Sequence, residues 1–174
     1  MLTRILKLIV SASAVGVISL IVSLTAFAQP QAADFSFRSV DGQAVTAESV
    51  RGEVVVFAFG ASWLPLTRNQ MEGLKKLADQ YAGRGVAVYW VSTESDSAKS
   101  RNYAADDQLR ELGRKYKITV LRDPDGAISR RLGVDQLPST VIINKQGQVA
   151  AAFGGLDPNA DVAKQLAERL DKIL

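Results

Sequence analysis

Val54-Val55-Val56-Phe57-Ala58-Phe59, followed by Ala61-Ser62-Trp63-Leu64-Pro65-Leu66-Thr67-Arg68, a helical stretch, and Val86-Ala87-Val88-Tyr89-Trp90-Val91, is the part of the chain whose reading decides the fold. An unbroken apolar run bounded by turn residues reads as a strand covered on both faces. Between the two runs Leu66, Met71, Leu74, Leu77, Ala78 and Tyr81 recur mostly at three- and four-residue spacing. That is one face of an amphipathic helix, which Gly83-Arg84-Gly85 ends. Two buried strands joined by a helix need a crossover, so they run parallel.

Working outward, Asp34-Phe35-Ser36-Phe37 alternates, meets the turn Asp41-Gly42, and returns through Gln43-Ala44-Val45 as a small hairpin. Residues 46–50 form one short helical turn, closed by Arg51-Gly52. Downstream, residues 95–105 are polar and weakly periodic, a surface excursion, before Leu109, Leu112 and Tyr116 mark a helix. Asp123-Pro124-Asp125-Gly126 is a turn, and residues 128–132 make a short helix stopped by Gly133. Strands at 139–144 and 148–153 flank Lys145-Gln146-Gly147, an antiparallel pair. The last helix is expected to open with Asp157 as N-cap and Pro158 at its first position, burying Val162, Leu166, Leu170 and Ile173.

A chain of 174 residues, 47% of them hydrophobic, fits one domain with a full core. It has no cysteine and no histidine. Cys and His nucleophiles, the imidazole base and the ligands that zinc prefers are therefore absent, and no metal or cofactor is expected. The net charge is +3, and Arg4 and Lys7 supply two of those charges, leaving the rest of the chain near +1 with both signs interspersed. That balance gives no electrostatic footprint for nucleic acid. Arg4 and Lys7 precede an apolar run over residues 8–24 and the small-x-small site Ala26-Phe27-Ala28, the pattern of a cleavable export signal. The expected organisation is a signal at 1–28, a linker at 29–33 and a domain at 34–174. Contact with a membrane comes only through the first segment, should it stay uncleaved. Export places the chain in a periplasm or an equivalent lumen, where disulfides persist.

The order hairpin, βαβ, helix, hairpin, helix resembles a thioredoxin fold with the amino-terminal extension of exported TlpA-like thiol–disulfide oxidoreductases, related to the redoxin and AhpC/TSA group. The carriers are Asp34-Phe35-Ser36-Phe37 with Asp41-Gly42, the strand leading to Ala61-Ser62-Trp63, the turn 123–126, and Gly133-Val134-Asp135-Gln136-Leu137-Pro138-Ser139-Thr140 with the strand after it. The fold implied is α/β: a central mixed sheet flanked by helices, with an N-terminal β-hairpin extension. On the family's Trp-Cys-x-x-Cys motif the two cysteines fall at Leu64 and Thr67, and Pro138 falls on the family's cis-proline. The family's inner strand often carries a polar or acidic residue where this chain has Ala58. In the peroxiredoxin pattern, Thr67 would put Gln70 at the sulfur position. Thiol–disulfide exchange requires a thiolate attacking sulfur, so a chain without cysteine cannot perform it alone.

With the cysteines replaced, Trp63, Leu64, Pro65 and Leu66 opposite Leu137 and Pro138 form an apolar patch where relatives hold an extended segment by its backbone. The leading expectation is a redox-inactive protein that binds an extracytoplasmic protein or peptide there, with Trp63 as anchor, Leu64 and Leu66 as walls and Leu137 as backbone partner. The bland alternative has Leu64 and Leu66 merely filling the start of the helix. Other functional alternatives are an oxidoreductase that borrows thiols from a partner or a small molecule, and a structural subunit of an envelope complex. Asp123 and Asp125 resemble the opening of a calcium loop, but the bidentate Glu is missing and Arg130-Arg131 follow, so a turn is expected. Glu94, Asp96, Asp106 and Asp107 are expected to be a solvated face. Ser62 and Thr67 bring hydroxyls without a base beside them.

Overall fold

The computed structural model describes residues 32–155, 157 and 161–174. The signal at 1–28, residues 29–31 of the linker and Pro158 lie outside the described residues. Along the described chain run β1 (Ser36–Ser39), β2 (Ala44–Thr46), β3 (Val54–Gly60), α1 (Thr67–Gln80), β4 (Val86–Ser92), α2 (Asp106–Tyr116), β5 (Thr119–Arg122), α3 (Ala127–Arg131), β6 (Ser139–Ile143), β7 (Val149–Gly154) and α4 (Val162–Leu170). The strands form one mixed sheet in the order β2-β1-β5-β4-β3-β6-β7. The β3–β4 and β4–β5 pairs are parallel and the others antiparallel.

The period-two geometry of β3 splits the core. Val54, Val56 and Ala58 face Met71, Leu74 and Leu77 of α1, Tyr81 just past its end, and Leu166 and Leu170 of α4. Val55, Phe57 and Phe59 face the other side, against Phe35, Phe37, Val45 and Leu132. Phe57 stands edge-on to Phe35 with ring centres 4.9 Å apart and lies 5.0 Å from Phe37. Such pairs add about 0.5–1.5 kcal/mol each beyond the area they bury. The N-terminal hairpin is thus a lid on one face of the sheet as well as an edge of it.

Several expectations need correcting. β5 was not legible as a strand: only four residues long, it is too short for a periodicity, and its state is set by the slot between β4 and β1. Thr46 ends β2 and residues 47–50 form turns rather than a helix, with Thr46 and Ser49 bonded through both backbone and hydroxyls. β4 is fully buried only from Trp90 onward; Val86 to Tyr89 are half-covered. The last helix starts at Val162, with Asp161 as its N-cap: the Asp161 carboxylate accepts from the N–H groups of Ala163 (2.9 Å) and Lys164 (3.2 Å). That local bond satisfies the free N–H groups of the first turn and so fixes the start there, four residues after Asp157. Asp106 and Asp107 belong to the first turn of α2, where carboxylates suit the helix dipole. Gln108 reaches back to the N–H of Ala105 at 3.2 Å.

Candidate functional site

Hydrogen-bond register brings three connections together at one end of the sheet. Gly60 of β3 pairs with Ser92 of β4, which in turn pairs with Arg122 of β5. The parallel strands therefore release their chains side by side. On the other flank Phe59 pairs with Ser139, the first residue of β6, so Leu137 and Pro138 enter beside the exit of β3. The Leu137–Pro138 peptide bond is cis. Crevices outside the carboxyl ends of parallel strands are where open α/β sheets place ligands.

The loop from Ala61 to Thr67 is two tight turns. The N–H of Leu64 donates to the Ala61 carbonyl and that of Thr67 to the Leu64 carbonyl, each at 3.0 Å, while Thr67 Oγ1 donates to Ala61 O at 2.6 Å. The hydroxyl at the second family cysteine position is thus buried and committed to the backbone. Leu64 is half-buried and Pro65 exposed. Leu66, expected as a pocket wall, packs against the core under α1. Trp63 stands 65% exposed. Across from this loop Leu137 is 38% exposed while Pro138 is buried. Among the described residues the N–H and C=O of Leu137 have no hydrogen-bond partner.

Two residues that position this loop were not singled out for that role by the sequence. Glu94, expected on a solvated face, is 1% exposed. It accepts from the Ser62 N–H at 2.9 Å, from Ser62 Oγ at 2.6 Å and from Ser92 Oγ at 3.0 Å. Both oxygens of the Glu94 carboxyl are therefore engaged, one of them by the backbone of the loop. Ser92 Oγ also accepts from Arg122 Nη1 at 3.3 Å, and Arg122 Nε lies 3.3 Å from Asp106 Oδ1. A buried polar chain therefore runs from Arg122 to the loop. The signal for Glu94 was its place two residues beyond a parallel strand. The second residue is Asn102, whose Oδ1 accepts from Trp63 Nε1 at 2.8 Å and whose Nδ2 donates to Thr93 O at 3.4 Å. Nothing local in the sequence marks it.

The remaining candidates have structural partners. Gln70 is buried, its Oε1 accepting from Trp90 Nε1 at 2.8 Å and its Nε2 donating to Phe59 O at 3.3 Å. A Cβ at Gly60 would stand 2.9 Å from Gln70 Oε1 and 3.0 Å from Trp90 Nε1, so this pair requires glycine there. Ala58 is sealed in the core, leaving no proton handler at that strand position. The Asp123 carboxylate accepts from the N–H groups of Ile128 and Ser129, and Asp125 from that of Ala127, so both carboxylates serve the start of α3. Asp106 pairs with Arg38 at 2.8 Å, and that hydrogen bond holds its carboxyl below the usual carboxylate range.

Comparison with known proteins agrees with this geometry. A family model described as the AhpC/TSA family matches residues 28–152. The thioredoxin-like protein YneN of Bacillus subtilis is 27% identical over 145 residues, covering 81% of this chain and 77% of its own. The thiol:disulfide interchange protein DsbE of Pseudomonas aeruginosa is 29% identical over 130 residues, covering 75% and 67%. Among solved structures, the exposed lipoprotein thioredoxin of Streptococcus pneumoniae superposes with a TM-score of 0.60 at 24% identity, covering 78% of this chain and 99% of that one.

Proposed function

The chain belongs to the AhpC/TSA family, and from that premise we propose that it is a redox-inactive, exported thioredoxin-like member that binds an extended segment of another protein, or a peptide, at the vacated cysteine loop. Its relatives are thioredoxin-like and thiol:disulfide interchange proteins. This chain keeps their fold and lacks any sulfur nucleophile.

The observation that carries the reading is Trp63, 65% exposed and hydrogen-bonded to Asn102, in the loop that leaves β3 where Leu137 enters β6, the backbone N–H and C=O of Leu137 having no hydrogen-bond partner among the described residues. An exposed tryptophan with its N–H already satisfied offers a large apolar face, the kind of residue that dominates binding surfaces. Free N–H and C=O groups at Leu137 suit pairing with an extended backbone, a mode of recognition that needs no thiol. The buried Glu94 carboxylate holds the loop from below. Export is supported by the charged, apolar and Ala-x-Ala pattern of residues 4–28.

The test is capture from an extracytoplasmic fraction by the full chain without its leader, compared with Trp63→Asp and Leu137→Asp under non-reducing conditions. A species bound by the wild type and lost from both variants is the expected result. Equal capture by all three moves the interface to another face. Capture that disappears only when thiols in the extract are blocked would favour an oxidoreductase working with borrowed cysteines.

A further inference from the structure

The hydroxyl of Ser62, which the sequence offers without a base, has one in the folded chain. Ser62 Oγ donates to Glu94 Oε1 at 2.6 Å, and Ser62 is exposed where Glu94 is buried. The other carboxyl oxygen, Oε2, accepts from Ser62 N–H at 2.9 Å and from Ser92 Oγ at 3.0 Å. Ser92 Oγ in turn accepts from Arg122 Nη1 at 3.3 Å. Oε2 is thus the oxygen that fixes the carboxyl, and Oε1 bonds to the Ser62 hydroxyl alone among the described residues. A hydroxyl within reach of a base, with that base oriented by a third group, is the arrangement that turns a serine into a nucleophile.

The backbone around Ser62 fits the same use. Gly60-Ala61-Ser62-Trp63 leaves the parallel strand β3 on the way to α1, so a strand–turn–helix connection presents the serine at the carboxyl end of the sheet. Where hydrolases place a nucleophilic serine on such a turn, the N–H of the next residue helps hold the oxyanion. Here that N–H belongs to Trp63, and it has no hydrogen-bond partner among the described residues. The turn departs from the usual Gly-x-Ser-x-Gly in having Leu64 at its last position, and a carboxylate stands where those enzymes use histidine. The exposed ring of Trp63 offers an apolar wall next to the serine in sequence.

We propose that Ser62 and Glu94 form a nucleophile–base pair that hydrolyses carboxylic esters of small apolar acyl groups. Ser62 Oγ bonds to the ester carbonyl carbon as its proton passes to Glu94 Oε1, and the negative charge gathers on the carbonyl oxygen toward the Trp63 N–H. The bond from that carbon to the leaving oxygen then breaks, the proton moves from Glu94 to the leaving oxygen, and the alcohol departs from an acylated Ser62. Water completes the cycle: its oxygen bonds to the acyl carbon, its proton goes to Glu94 and on to Ser62 Oγ, and the carboxylic acid is released. Arg122 is a positioning residue in this scheme, acting through Ser92 on Oε2. The activity goes beyond the docking reading and does not depend on it.

Hydrolysis of p-nitrophenyl acetate by the full chain, together with a fluorophosphonate label located by peptide mass mapping, tests the pair. The lack of cysteine and histidine removes two common sources of background acylation. Wild type is expected to turn the ester over and to carry the label on Ser62. Ser62→Ala should lose both. Glu94→Gln keeps an acceptor for the Ser62 N–H but cannot take the hydroxyl proton, so it should lower turnover by about a hundredfold. Circular dichroism matching wild type separates lost chemistry from a lost fold in each variant. Equal turnover by wild type and Ser62→Ala, or no label on Ser62 in the wild type, would overturn the proposal. So would labelling and turnover in Glu94→Gln as fast as in wild type, because Glu94 would then not be the base.

Discussion

Replacing Glu94 tests whether the loop is held from beneath. Its carboxylate, itself 1% exposed, takes three hydrogen bonds, from Ser62 N–H, Ser62 Oγ and Ser92 Oγ, the two from Ser62 only part-buried. Glu94→Ala removes both oxygens at once. The two hydroxyls can turn toward other acceptors, but the part-buried Ser62 N–H cannot, and its loss lies at the low end of the roughly 1–3 kcal/mol that a stranded donor costs, about 1 kcal/mol. The emptied volume and the lost partner of Ser92, which also serves the buried Arg122, add to that. Relief from burying a charge offsets part of it. The net expectation is a loss of about 3 kcal/mol in urea unfolding followed by circular dichroism. Glu94→Gln keeps one oxygen where Oε2 accepts from Ser62 N–H and Ser92 Oγ, and its amide can donate to Ser62 Oγ. It should cost about 1 kcal/mol or less. Amide hydrogen exchange supplies the local readout: protection at Ser62 should vanish in Glu94→Ala and persist in Glu94→Gln. A loss under 1 kcal/mol for Glu94→Ala, or equal losses for both, would refute the reasoning, because acceptor geometry would then not be what holds the loop.

Three further outcomes follow from the same geometry. Gly73→Ala would put a Cβ 2.5 Å from Val162 Cβ, forcing α1 and α4 apart, so thermal unfolding should show a destabilisation of about 1–3 kcal/mol. Leu64 and Thr67 close a four-residue turn through the bond from Thr67 N–H to Leu64 O, which keeps their Cα atoms within disulfide reach. The double substitution Leu64→Cys, Thr67→Cys should therefore gain insulin-reductase activity, and a folded but inactive double variant would show that the loop is no longer shaped for exchange. Asp106, whose carboxyl is held low by Arg38, contributes stability that is complete above the unfolded carboxylate pKa of about 3.9 and fades as pH falls through the lower folded value. The stability gap between wild type and Asp106→Asn should be constant from neutral pH to about pH 5 and close below about pH 4; a gap unchanged at pH 2 would contradict this.

The sequence by itself determined the βαβ centre, the hairpin at the entry, the β6–β7 pair and the absence of thiol chemistry. Each of these is a local property: an apolar period, a turn dipeptide, or a residue type that is missing. The same period that marks β3 as buried on both faces also divides its residues between the two cores. The surroundings of β5 and Glu94 were decided by tertiary structure alone. β5 is four residues that become a strand by filling the slot between β1 and β4. Glu94 sits in a polar stretch that looks solvated, and it is buried because Gly60 pairs with Ser92 and so brings Ser62 over its carboxylate. Asn102 meets Trp63 across 39 residues for a related reason. Periodicity reports how one segment divides its own faces between core and water. Which loops meet at a strand end depends on the register between strands distant in sequence, and that register is fixed only when their hydrogen bonds and both packed faces form together.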